Sequence, residues 1–205
     1  MVVVSPETHR VFTSNVSSGT LSVIEEAPTP SFGPPPAGSP GSAQRPSPGA
    51  PRKTWRVTNV AAGRGSEGFD LAPDGKEVWV ANAQDGTITI IDVSAKKASL
   101  TFPVSVRGNR LKFSPDGQRV LVSGAPSGSA GANLVILDVA TRKEIKGFSF
   151  GGGSAGILVV HDGSRAYVAV SGGDEVVAVD LKKLEIAGKI ATGKGPDGLA
   201  WAQRK

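Results

Sequence analysis

The sequence predicts an all-β chain of β-propeller blades: four four-stranded antiparallel units plus one extra strand, a partial propeller. Three observations predict it. One pattern of roughly 40 to 45 residues recurs along the chain, each copy divides into four short β-rich runs, and tight-turn residues mark the same place in every copy.

The recurrence is visible by self-comparison. "FDLAPDGKEVWVANAQDGTITIIDV" begins at Phe69, "LKFSPDGQRVLVSGAPSGSAGANLVILDV" at Leu111 and "ILVVHDGSRAYVAVSGGDEVVAVDL" at Ile157. Asp74, Asp116 and Asp162 mark the shared turn, 42 and 46 residues apart. The chain opens in the same pattern with "VVVSPETHRVFTSNVSSGTLSVIEE", where Glu7 takes the aspartate place, and ends on "LAWAQRK" as another unit starts. The expected organisation is a single partial propeller over residues 1–205. Its blades are expected at 1–60, 61–104, 105–150 and 151–192, with the start of a further blade at 193–205.

Within a unit, each element has a local reason. "KEVWVAN" and "GTITIID" are short, β-branched or aromatic, and bounded by turn residues, whereas no run has the length and period of an amphipathic helix. "PDGK" joins strand one to strand two: proline presets φ, aspartate bonds the following backbone and glycine takes φ > 0. "AQDG" and "SGGDE" turn strand two into strand three. Asp92, Asp138 and Asp180 close strand three as turn formers, and "SAKK", "ATRK" and "KKLE" lead into strand four. Both faces of "VWVAN" and "AYVAV" are apolar, as expected of a blade buried between neighbours. No blade should be stable alone.

One segment breaks the pattern. "APTPSFGPPPAGSPGSAQRPSPGAPRK", residues 27–53, interrupts the first unit between strands three and four. Its proline, glycine, serine and alanine content predicts a disordered insertion on the blade rim.

Composition narrows the chemistry. The 205 residues are 39% hydrophobic, enough for a packed core. Cysteine is absent, which excludes disulfides, thiolate metal sites and cysteine nucleophiles. No run reaches the ~20 apolar residues of a membrane helix, so no membrane span is expected. "MVVVSPETHR" has no signal-peptide features. The net charge of +5 comes from 23 basic and 18 acidic residues that are interspersed, which argues against a nucleic-acid partner.

"GRGSEG" at 63–68 looks like a dinucleotide fingerprint, but that motif needs a helix after it, and here "FDLAPDG" follows. It returns as "GGGSAG" at 151–156 and "GKGPDG" at 193–198, always where one unit meets the next. These glycines are read as tight blade-to-blade crossings near the axis.

"VFTSN" at 11–15 and "VWVAN" at 78–82, with the glycine-rich lead-in, "PDG" and a strand ending in "IIDV", resemble the YVTN-type β-propeller repeat family. The resemblance covers nearly the whole chain except 27–53. It implies a bacterial protein at the cell surface or in the periplasm, often with seven blades. Relatives include lactonases, amine dehydrogenase subunits and haem-binding nitrite reductase domains. Against such a ring, four blades and a strand predict a fragment of a larger propeller, or self-association through open blade edges.

Crossings and the loops between strands two and three share one end of a propeller, beside the axial funnel, and the candidate ligand-binding residues are expected there. Where other crossings carry Gly65 and Gly68, or Gly153 and Gly156, the third unit has Arg107 and Arg110. Two guanidinium groups suit an anion. Arg64 and Lys194 would reinforce that field, and Glu67 and Asp197 would oppose it. Asp70 and Lys112, matched on adjacent inner strands, are expected to form a structural ion pair.

His9 and His161 fall in the turns at the other end, so no metal, haem or other cofactor is expected. No "GxSxG" elbow is present, and no histidine is placed to activate a serine. Trp55, Trp79, Trp201 and Tyr167 are expected in strands, packed between blades. The resulting expectation is a non-catalytic binding module whose partner is a protein or a small anionic ligand. The alternative is part of a lactonase-like or dehydrogenase-like propeller enzyme with its site at the funnel mouth.

Overall fold

The computed structural model describes residues 1–27, 54–127 and 131–202 of the chain. These form four four-stranded antiparallel sheets, each built from four consecutive strands. The first holds β1 (Val2–Val4), β2 (Val11–Asn15), β3 (Thr20–Ala27) and β4 (Thr54–Ala61). The second holds β5 (Ser66–Leu71), β6 (Glu77–Asn82), β7 (Thr87–Asp92) and β8 (Lys97–Pro103). The third holds β9 (Val106–Phe113), β10 (Arg119–Pro126), β11 (Leu134–Asp138) and β12 (Lys143–Phe148). The fourth holds β13 (Ser154–Val159), β14 (Arg165–Val170), β15 (Glu175–Asp180) and β16 (Glu185–Ala191). This is the all-β, partial-propeller architecture expected of the repeat, and among the described residues no helix is long and apolar enough to cross a membrane.

Turn chemistry sets the strand pairing. Asp74, Asp116 and Asp162 each accept from the N–H two residues on, Lys76, Gln118 and Ser164, at 3.0, 3.0 and 2.9 Å. Gly75 supplies the left-handed backbone at φ 71°. In the first unit, which lacks that glycine, His9 adopts φ 54° instead. Asp92, Asp138 and Asp180 cap the turn from third to fourth strand, accepting from the N–H of Ala95, Thr141 and Lys183 at 2.7, 2.8 and 2.9 Å.

The core lies between sheets. Successive residues of a strand point to opposite faces, so Val78 packs back on the first sheet with Phe12 and Leu21, while Trp79 packs forward on the third with Leu111 and Val122. Leu121 and Ile136 then meet Ile157 and Val168 of the fourth sheet. Trp79 is fully buried, edge-on to Phe102 at 5.7 Å and to Phe113 at 5.6 Å.

Four expectations change. Ala27, placed in the insertion from the sequence, ends β3 and pairs with Thr54; residues 28–53 lie outside the described residues. The opening of the fifth unit makes a backbone hydrogen bond, Gly156 N–H to Asp197 O at 3.0 Å, but forms no strand among the described residues. Trp55 and Trp201 are 55% and 53% exposed rather than packed between sheets, because neither has a described sheet beyond it. What the first blade leaves open is a whole sheet face, and its inner edge strand is paired only on one side like that of every other blade.

Candidate functional site

The crossings and the loops between second and third strands are bonded to one another at one end of the arc. Ala62 N–H donates to Gly19 O at 2.9 Å, Ala83 N–H to Gly65 O at 3.0 Å and Thr192 N–H to Asp174 O at 2.9 Å. Between the first two blades this leaves a cavity of about 470 Å³, lined in part by Val16, Gly19, Arg64, Gln84 and Asp85.

Register explains the arginine. Phe69 pairs with Val80, Leu111 with Val122 and Ile157 with Val168, so Gly68, Arg110 and Gly156 are equivalent positions on three adjacent inner strands. The inner strands come so close here that a Cβ on Gly68 would lie 2.5 Å from the Arg110 backbone, and one on Gly156 would lie 2.1 Å from Asp197 O. Glycine on both sides leaves space for one long side chain. Arg110 uses it to reach Glu67 Oε1 at 3.0 Å and Asp197 Oδ1 at 3.3 Å, while its Nη1 also donates to Asn109 O at 2.8 Å.

The structure therefore joins Glu67, Arg110 and Asp197 and separates the other three residues. Arg64 is held by Asp85, through its backbone N–H at 2.7 Å and its Nε at 2.6 Å, with a side chain 78% exposed. Arg107, on β9 opposite Ala125 of β10, and Lys194 are exposed, and neither forms an ion pair among the described residues. The two-guanidinium anion site expected from Arg107 and Arg110 is altered accordingly: the Arg110 charge already faces two carboxylates. Sequence reasoning missed Asp85, seen only as a turn residue, and Asn109, whose buried Oδ1 has no partner among the described residues.

Deeper along the axis the expected ion pair is present, with Lys112 Nζ 3.2 Å from Asp70 Oδ1. Asp70 Oδ2 accepts from the Phe113 N–H at 3.1 Å. Burial pushes the Asp70 carboxyl above its ordinary range, outweighing the attraction of Lys112 and the Phe113 hydrogen bond. A cavity of about 260 Å³ beside the pair is walled by Leu71, Phe113, Ile157 and Leu158.

His161 lies away from this end, its ring edge-on to Trp201 at 6.4 Å. Among the described residues no three His, Asp or Glu side chains are grouped to hold a metal ion.

The YNCE-like beta-propeller family matches residues 47–203. No curated protein matches the sequence. Among solved structures, Kuenenia stuttgartiensis hydrazine synthase is similar over 92% of this chain and 47% of its own, at 18% identity and a TM-score of 0.69. The WD40 repeats of RRP9 are similar over 63% of this chain and 39% of theirs, at 12% identity and a TM-score of 0.55. U3-55K is similar over 62% of this chain and 39% of its own, at 12% identity and a TM-score of 0.54. The chain spans less than half the length of each, and at these identities the likeness is one of fold.

Proposed function

This chain belongs to the YNCE-like β-propeller family, and from that premise we propose that it is a non-catalytic interaction module. Its binding surface is the end where crossings and second-to-third-strand loops meet. The observation that carries this reading is the mutual pairing of the charges there: Arg64 with Asp85, and Arg110 with Glu67 and Asp197. Groups paired in this way hold loops in place, and they leave Arg107 and Lys194 as outward-facing cations for a partner's acidic side chains or a small carboxylate. The likeness to hydrazine synthase is one of fold and lends no support to catalysis. We place the module in the periplasm or at the cell surface on family resemblance, which fractionation of expressing cells would check.

The test is site-specific photo-crosslinking in the cell of origin. A crosslinker at Arg107 is expected to capture a discrete partner, and Arg107→Glu with Lys194→Glu to abolish capture from a neighbouring loop position, Gln84. A crosslinker on the outer strand at Lys143 serves as the comparison. Equal capture from Lys143 and Arg107 would overturn the assignment of the surface.

A further inference from the structure

We propose that the cavity beside Asp70 and Lys112 binds a short-chain aliphatic monocarboxylate, its carboxylate on the Lys112 ammonium and its chain against the inner strand of the fourth blade. This site goes beyond the interaction-module reading, and none of its residues belongs to the loop surface assigned there.

Register sets the site. Asp70 pairs with Trp79, Lys112 with Leu121 and Leu158 with Tyr167, each one residue past the equivalent Phe69, Leu111 and Ile157. An acid, a base and an aliphatic side chain therefore occupy the same level of three adjacent inner strands. Lys112 stands between the other two. On the second-blade side its Nζ meets Asp70 Oδ1 at 3.2 Å. On the fourth-blade side the Leu158 side chain offers no acceptor, so an ammonium with three donors has Asp70 as its one partner among the described residues.

The two members of the pair are not equally satisfied. Asp70 has both oxygens engaged, Oδ1 by Lys112 and Oδ2 by the Phe113 N–H at 3.1 Å, and its side chain is 13% exposed. The Lys112 side chain is 37% exposed and lines the cavity of about 260 Å³. Ser114 is the other polar side chain on that wall, and its hydroxyl is held by Asp116 Oδ1 at 2.6 Å and by the Arg119 backbone. Leu71, Phe113, Ile157, Leu158 and Val159 make most of the rest.

That inventory selects the ligand. One cation with spare donors in an apolar wall suits a molecule with one anionic end and one aliphatic end. An amine finds no free oxygen on Asp70, and a sugar or polyanion finds no second donor. The volume lies below the roughly 300 Å³ at which pockets for drug-sized ligands begin, which keeps the chain short. Burial already holds the Asp70 carboxyl above its ordinary range, so a second carboxylate on the same ammonium is accommodated by a proton on Asp70. All of these walls belong to the second, third and fourth sheets.

Isothermal titration calorimetry of the whole chain with hexanoate tests this. Half-saturation is expected at or below about 1 mM, with hexanol and acetate each about tenfold weaker or worse. Lys112→Met should weaken hexanoate binding about tenfold. Asp70→Asn, which frees Lys112 of a competing carboxylate, should bind hexanoate about threefold more tightly. A purely structural pair would move both variants in the same direction. Where circular dichroism shows that Lys112→Met alone does not fold, Asp70→Asn with Lys112→Met removes both charges and should bind hexanoate no better than hexanol. Lys143→Met, on outer strand β12, should leave the affinity unchanged. Absence of saturation by about 10 mM overturns the proposal. So does hexanol binding as tightly as hexanoate, so does weaker binding by Asp70→Asn, and so does an affinity that survives loss of the Lys112 charge.

Discussion

Lys112 Nζ lies 3.2 Å from Asp70 Oδ1 and joins the inner strands of two successive blades. Burial nonetheless raises the Asp70 carboxyl, so the folded chain holds that proton more tightly than the unfolded chain does. The Asp70 contribution to stability therefore declines as pH rises from the ordinary carboxylate value through the raised one. Asp70→Asn removes this dependence and keeps an acceptor for the Phe113 N–H. Its melting temperature relative to wild type should climb as pH goes from 4 to 7 (about the range that brackets such a shift). Asp70→Ala strands that N–H and should cost about 1–3 kcal/mol. A flat difference between the Asn variant and wild type would contradict this.

The turn aspartates behave in the opposite sense. The Thr141 hydroxyl and N–H hold the Asp138 carboxyl below its ordinary range, as the Ala95 N–H and Ser94 hydroxyl do for Asp92 and the Lys183 and Lys182 N–H groups do for Asp180. A depressed folded value stabilises above the unfolded value and is lost as pH falls through the folded one. Thermal melts should show stability dropping below about pH 4. Asp138→Asn should make that drop shallower.

Glycines of one crossing should differ sharply in tolerance. A Cβ at Gly156 would meet Asp197 O at 2.1 Å, whereas one at Gly153 meets nothing within 4 Å. Gly156→Ala is expected to lose about 1–3 kcal/mol in denaturant titration. Gly153→Ala should stay within about 0.5 kcal/mol of wild type.

Tryptophans divide by position as well. Trp79→Ala empties a fully buried site between Phe102 and Phe113 and should cost about 3–5 kcal/mol. Trp55→Ala, on an open face, should leave monomer stability within about 0.5 kcal/mol. Urea unfolding at low protein concentration separates the two.

Much of the architecture was legible because its causes are local. Asp74, Asp116 and Asp162 announce the first hairpin of their units, since each bonds an N–H only two residues away. Asp70 and Lys112 could be matched by counting from those turns, because a constant repeat carries register from one blade to the next. Arg107 and Arg110 stood out by the same comparison, but not their fates. Arg110 takes Glu67 and Asp197 from 43 and 87 residues away, a choice made by the inner strands converging on the axis. Trp201 read as a strand residue from its neighbours, yet strand pairing needs a partner that no local pattern supplies.

By itself, then, the sequence determined the repeat, the turns and the two apolar faces of each blade, all consequences of short-range bonding and a two-residue period. Only the tertiary structure decided which charges neutralise one another and which of those faces goes uncovered. Coulomb attraction and burial depend on distance in space, and the chain sets that distance only once its sheets are stacked.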